Sequence, residues 1–114
     1  MTQLAGVDRD RLWRAYVDCV TAAPDAYLRR DSQFHLLIAE LVGSTTLIPL
    51  MADVRTRLNE LLNNIPLLTF NIAHSNEQHE EIVKAILHSQ PDAAAAAAAE
   101  HVAGSESLLR GFLI

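Results

Sequence analysis

Hydrophobic positions recur along this chain at intervals of three and four residues, the pattern of helices that each turn one face toward a core. The first run predicts a helix from Asp8 to Ala22, with acidic residues at its N-terminal end and Leu12, Trp13, Tyr16, Val17, Cys19 and Val20 on its apolar face. Pro24 stops that helix and suits the first turn of a second, which carries Tyr27, Leu28, Phe34, Ile38, Leu41 and Val42 inward and ends at Gly43-Ser44. A third helix starts near Thr45 or Thr46, either able to cap it, with Pro49 tolerated in the first turn. Its Leu47, Met51, Val54, Leu58 and Leu61 alternate by four and three, a heptad-like spacing that suits antiparallel packing or a contact between subunits. Asn63-Asn64-Ile65-Pro66 breaks the pattern, and the apolar stretch from Leu67 to Ala73 reads as a helical extension or a packed connection. A fourth helix is expected from Ser75 or Asn76 to about Ser89. Pro91-Asp92 opens a fifth through the alanine run Ala93 to Ala99, with a local irregularity at Gly104-Ser105. The expected fold is all-α, an antiparallel helical bundle of about five to six helices, with a lead-in over residues 1–7 and a single domain over 8–114.

Several inward positions are polar, which changes the picture. Asp31 and His35 stand four apart on the stripe of the second helix and project from one face into the core. His79 shares a stripe with Ile82, Val83 and Ile86, and His101 shares one with Ala94, Ala97, Ala98, Leu108 and Phe112. Burying such groups without partners costs roughly 2–7 kcal/mol each, so they need a common answer. One acid and three imidazoles suit a borderline divalent ion, zinc first and then nickel or manganese. In a six-coordinate ion the remaining positions go to water or to a ligand with carboxylate or hydroxyl oxygens. His74 precedes its helix and His88 lies beside Glu81 and Lys84 on a polar face, so both fall outside the set. Arg55 can pair with the carboxylate of a ligand if its face turns inward, although an exposed position is the commoner one for arginine.

Composition narrows the function. Half of the 114 residues are hydrophobic, which excludes a disordered chain and is enough for one core. The net charge is -5 and no cluster of Lys or Arg offers a footprint for a phosphate backbone, so direct nucleic-acid contact is not expected. Cys19 is the single cysteine, which excludes an internal disulfide and points to a core thiol in a reducing, cytoplasmic setting. No apolar run reaches the roughly 18 residues of a membrane span, and Met1 to Ala5 lack the features of a signal peptide.

The pattern Asp31-x-x-Phe34-His35, then His79-x-x-Ile82-x-x-Ala85-Ile86, then an alanine-rich helix ending in His101-Val102, resembles the FadR C-terminal domain (FCD) of GntR-type bacterial transcription regulators. The likeness runs from about Asp10 to Leu109. It implies an effector-binding helical domain in which Asp31, His35, His79 and His101 hold a metal and a small organic acid binds beside it. Members of that family also carry a DNA-binding winged helix and a first FCD helix bearing an Arg and a Glu, and neither is recognisable here. The expectation is therefore a sensing domain that makes no direct contact with DNA, and that pairs as a homodimer to cover an apolar groove. A helical-bundle metalloenzyme is the alternative, but no further inward Glu, Lys or Tyr offers a general base, and the chain is expected not to be an enzyme. A purely structural dimerising bundle would leave the inward acid and histidines unexplained.

Overall fold

The computed structural model describes residues 4–63 and 69–113, and these are all-α: five helices with no strand among the described residues. They are α1 (Gly6–Val20), α2 (Tyr27–Val42), α3 (Leu47–Leu62), α4 (Thr69–Leu87) and α5 (Pro91–Leu113). The helices α1 to α3 form one compact unit, in which α2 packs against both α1 and α3, and α4 with α5 forms a second.

In the first unit the core is built on few residues. Leu12, Tyr16 and Cys19 of α1 and Tyr27, Phe34 and Ala39 of α2 are all buried, on two helices that pack together. The apolar face expected of α1 divides in two: Trp13, Val17 and Val20 are 49%, 37% and 43% exposed. A stripe centred on Leu12, Tyr16 and Cys19 advances by four and three and needs only one neighbouring helix, and within its unit α2 packs against α1. Pro24 lies in the turn before α2 and not in its first helical turn, since α2 begins at Tyr27. At the other end Gly43 takes a left-handed φ of +78° and its N–H reaches the carbonyls of Ala39 and Glu40, the stop expected there. The cap of α3 is neither threonine: Leu47 donates its N–H to Ser44 Oγ at 3.1 Å, and Thr46 is already helical in backbone conformation.

The inward face of α3 also differs from the heptad expectation. Leu47, Met51 and Leu58 are half-buried as expected, but Val54 and Leu61 are 55% and 45% exposed. The buried residue of that turn is Arg55. A straight helix repeats every 3.6 residues and a heptad every 3.5, so the inward line runs Met51, Arg55, Leu58 and Leu62.

The second unit is a helical hairpin closed by a three-residue connection. α4 begins at Thr69, several residues before Ser75, which makes the described part of the Leu67 to Ala73 stretch a helical extension. The preceding break at Asn64-Ile65-Pro66 lies outside the described residues. α4 ends with Ser89 at φ +55°, where Gln90 N–H reaches Ala85 O and Ser89 N–H reaches Ile86 O, a left-handed C-terminal motif made without glycine. Its buried line is His79, Ile82, Val83 and Ala85. α5 is continuous through Gly104 and Ser105, where an irregularity was expected; Ser105 Oγ bonds back to the carbonyl of His101 at 3.2 Å within an unbroken helix. The side chain of Phe112, expected on the His101 face, lies outside the described residues.

Candidate metal centre

Each unit presents one pair of metal-type donors. In the first, Asp31 and His35 sit one turn apart on α2 because a spacing of four stacks their side chains on one face. Asp31 is 7% exposed, and its Oδ1 lies 3.3 Å from His35 Nε2. The ring of His35 stands edge-on to Phe34, with centroids 5.3 Å apart.

The other oxygen of Asp31 is taken by α3. Arg55 Nη2 donates to Asp31 Oδ2 at 2.5 Å, and Arg55 Nε donates to Ser32 Oγ at 3.2 Å. Asn59, one turn further along α3, donates from Nδ2 to the same hydroxyl at 2.8 Å. Arg55 is 8% exposed, so its common, solvent-facing placement is not the one adopted. Pairing offsets the cost of burying both charges, and it leaves Asp31 with one oxygen committed to Arg55 and one facing His35. Asn59 Oδ1 is buried and has no hydrogen-bond partner among the described residues. Ser32 and Asn59 were not foreseen from the sequence, although Ser32 adjoins Asp31 on α2 and Asn59 follows Arg55 by one turn of α3. Cys19 lies in this unit too, and burial first, then the negative charge of Asp31, push its thiol from 9.0 up to about 12, against the smaller opposing influence of Tyr27 and Arg55. It is a neutral core thiol, as its place on α1 suggested.

In the second unit His79 is fully buried on α4 and His101 is 7% exposed on α5. Their Nε2 atoms are 3.2 Å apart and the rings meet edge to face, with centroids at 4.7 Å. His101 Nδ1 is 2.7 Å from Gln78 Oε1, a contact no spacing rule would have singled out. His74 and His88 are exposed, as expected, though His74 lies inside α4 and not before it.

The donor chemistry can be tested against an ion. Two ligand atoms at about 2.0–2.1 Å from one metal, at angles between square and tetrahedral, lie roughly 2.8–3.4 Å apart. The separations of 3.3 Å in the Asp31–His35 pair and 3.2 Å in the His79–His101 pair both satisfy that condition. Carboxylate and imidazole are also the donors that suit zinc, nickel and manganese.

No curated protein and no solved structure matches the chain. A family model does: that of the FCD domain, over residues 2–104. The match begins before Asp10, takes in all of α1, and contains all four donors and Arg55. FCD is a regulatory, ligand-binding domain, and the all-helical fold agrees with that assignment. This chain therefore belongs to the FCD family, the effector-binding domain of GntR-family regulators.

Proposed function

We propose that Asp31, His35, His79 and His101 together hold one divalent cation, zinc first and nickel or manganese next, and that a small organic acid bound beside it is the signal this domain senses. The observation that carries the reading is the matching donor separation in the two pairs, 3.3 and 3.2 Å. When bound, the ion supplies Lewis acidity and open coordination positions to anionic oxygen. The charges of Asp31 and Arg55 cancel and Cys19 is neutral, so the two positive charges of the ion stay available to an anion. Arg55 keeps guanidinium N–H groups beyond the two that Asp31 and Ser32 engage, and these orient a carboxylate. Asn59 Oδ1, buried beside it, accepts from a hydroxyl on the same molecule.

The regulator reading supplies the rest. DNA contact falls to a winged helix and not to this domain, and a regulator of that kind acts in the cytoplasm. No helix of the described residues is long and apolar enough to cross a membrane. A second copy covers the exposed line of Leu50, Val54 and Leu61 on α3, giving a homodimer.

The test starts from protein purified without a histidine tag. Elemental analysis should find about one divalent ion per chain, and a chelator should lower the thermal midpoint, because the ion binds the folded state alone. Alanine at Asp31, His35, His79 or His101 should abolish retention, while alanine at His74 or His88 should not. Metal retained in His79→Ala and His101→Ala alike would sink the reading. A panel of small carboxylic acids should raise the midpoint of the metal-loaded protein and not of the stripped one. Light scattering at micromolar concentration should return twice the chain mass.

A further inference from the structure

The contact between Gln78 and His101 decides more than the packing of two helices. A glutamine Oε1 can only accept, so at 2.7 Å it requires a proton on His101 Nδ1. A neutral imidazole carries one proton, and His101 Nε2 is then a bare lone pair. That nitrogen faces His79 Nε2 at 3.2 Å, a separation at which a neutral His79 can donate an Nε2–H to it. The space for the glutamine is made by Gly104 on α5, where a Cβ would lie 3.4 Å from Gln78 Nε2 and 3.9 Å from Oε1. Alanine could just be accommodated, while a branched side chain would displace the amide.

We propose that Gln78, seated against Gly104, is a positioning residue that locks His101 in its Nδ1–H tautomer and so makes the two histidines unequal: His101 is ready to ligate through Nε2, and His79 must first give up its Nε2 proton. This rests on the metal reading only for its consequence. Ligation through both Nε2 atoms would break the bond between the rings and would require a neutral His79 to carry its proton on Nδ1. His101 keeps its proton throughout. Outer partners of ligating histidines typically change metal affinity by about 10–100-fold when removed, and Gln78 belongs to that range.

Long-range imidazole 15N correlation spectra of the full, metal-free chain test the lock directly at a pH where both rings are neutral. His101 should show a protonated Nδ1 and His79 a protonated Nε2. Titration with zinc alone should move the His79 pattern to protonated Nδ1 and leave the His101 tautomer as it was. Gln78→Leu should release His101 into a mixture of tautomers and weaken zinc binding by about 10–100-fold, and Gln78→Glu should restore both. Gly104→Val reaches the same end from the other helix without touching Gln78, and covers the case in which Gln78→Leu does not fold. A His101 protonated at Nε2 in the wild-type chain overturns the proposal, as does a Gln78→Leu protein, folded by circular dichroism, with an unchanged tautomer. If the wild-type chain takes up no zinc but shows the two tautomers, the metal reading fails and the lock stands.

Discussion

The two donor pairs are held by opposite means. In the three-helix unit Asp31 and His35 come from one helix, one turn apart, and a buried cation, Arg55, fixes the acid from α3. In the hairpin the donors lie 22 positions apart on two helices, and a neutral amide, Gln78, fixes one of them. A single-helix pair needs only helical spacing, but one of its members is charged and must be neutralised when buried. A two-helix pair of imidazoles brings no carboxylate to neutralise but depends on how closely the helices approach. Ala94, Ala97 and Ala98 are half-buried on α5, and small side chains there leave room for close helix packing.

The largest effect should come from breaking the charge pair. Arg55→Leu leaves Asp31 buried without its guanidinium and should cost about 3–5 kcal/mol of stability in urea denaturation of the metal-free protein. Saturating zinc should recover part of this loss; an Arg55→Leu protein as stable as wild type would show that Asp31 is hydrated in solution. The corresponding disturbance in the hairpin is steric. Ala97→Leu should cost about 1–3 kcal/mol by overpacking, and should widen the His79–His101 separation, which a loss of zinc affinity would report.

A pH experiment separates the units by Cys19, which belongs to the first alone. Its folded value of about 12 stands above the ordinary 9.0, so the neutral thiol is the form that folding favours. The contribution is complete below 9.0 and is lost as the pH rises toward 12. At pH ~10 the wild-type chain should have lost roughly 1 kcal/mol more than Cys19→Ala, measured by urea midpoints at each pH. Equal losses would place the thiol in contact with water. The smallest effect should be a gain. Both units end a helix in the left-handed region, one with Gly43 and the other with Ser89, whose side chain is strained there. Ser89→Gly should stabilise by about 0.5–1 kcal/mol, and a thermal midpoint that falls would show that the serine hydroxyl holds the turn.

Much of this organisation was legible from local pattern. The five helices, the all-α class and the inward placing of Asp31, His35, His79 and His101 follow from a spacing of three and four, which backbone geometry imposes on any helix whatever surrounds it. The misreading of the inward face of α3 arose where two helical periods compete and a polar residue occupies the inward line. Val54 and Arg55 are adjacent, and a heptad picks the valine while a straight helix picks the arginine. Only Asp31 on the neighbouring helix makes burial of that guanidinium acceptable.

The sequence by itself determined the helices and the identity of the candidate donors, because each depends on residues within a turn or two of one another. Tertiary structure decided which polar groups meet: Arg55 with Asp31 across 24 positions, Asn59 with Ser32 across 27, and Gln78 with His101 across 23. Hydrogen bonds form or fail over a few tenths of an ångström, and such distances between helices are set by the packing of all their side chains together. No periodicity within one helix carries that information.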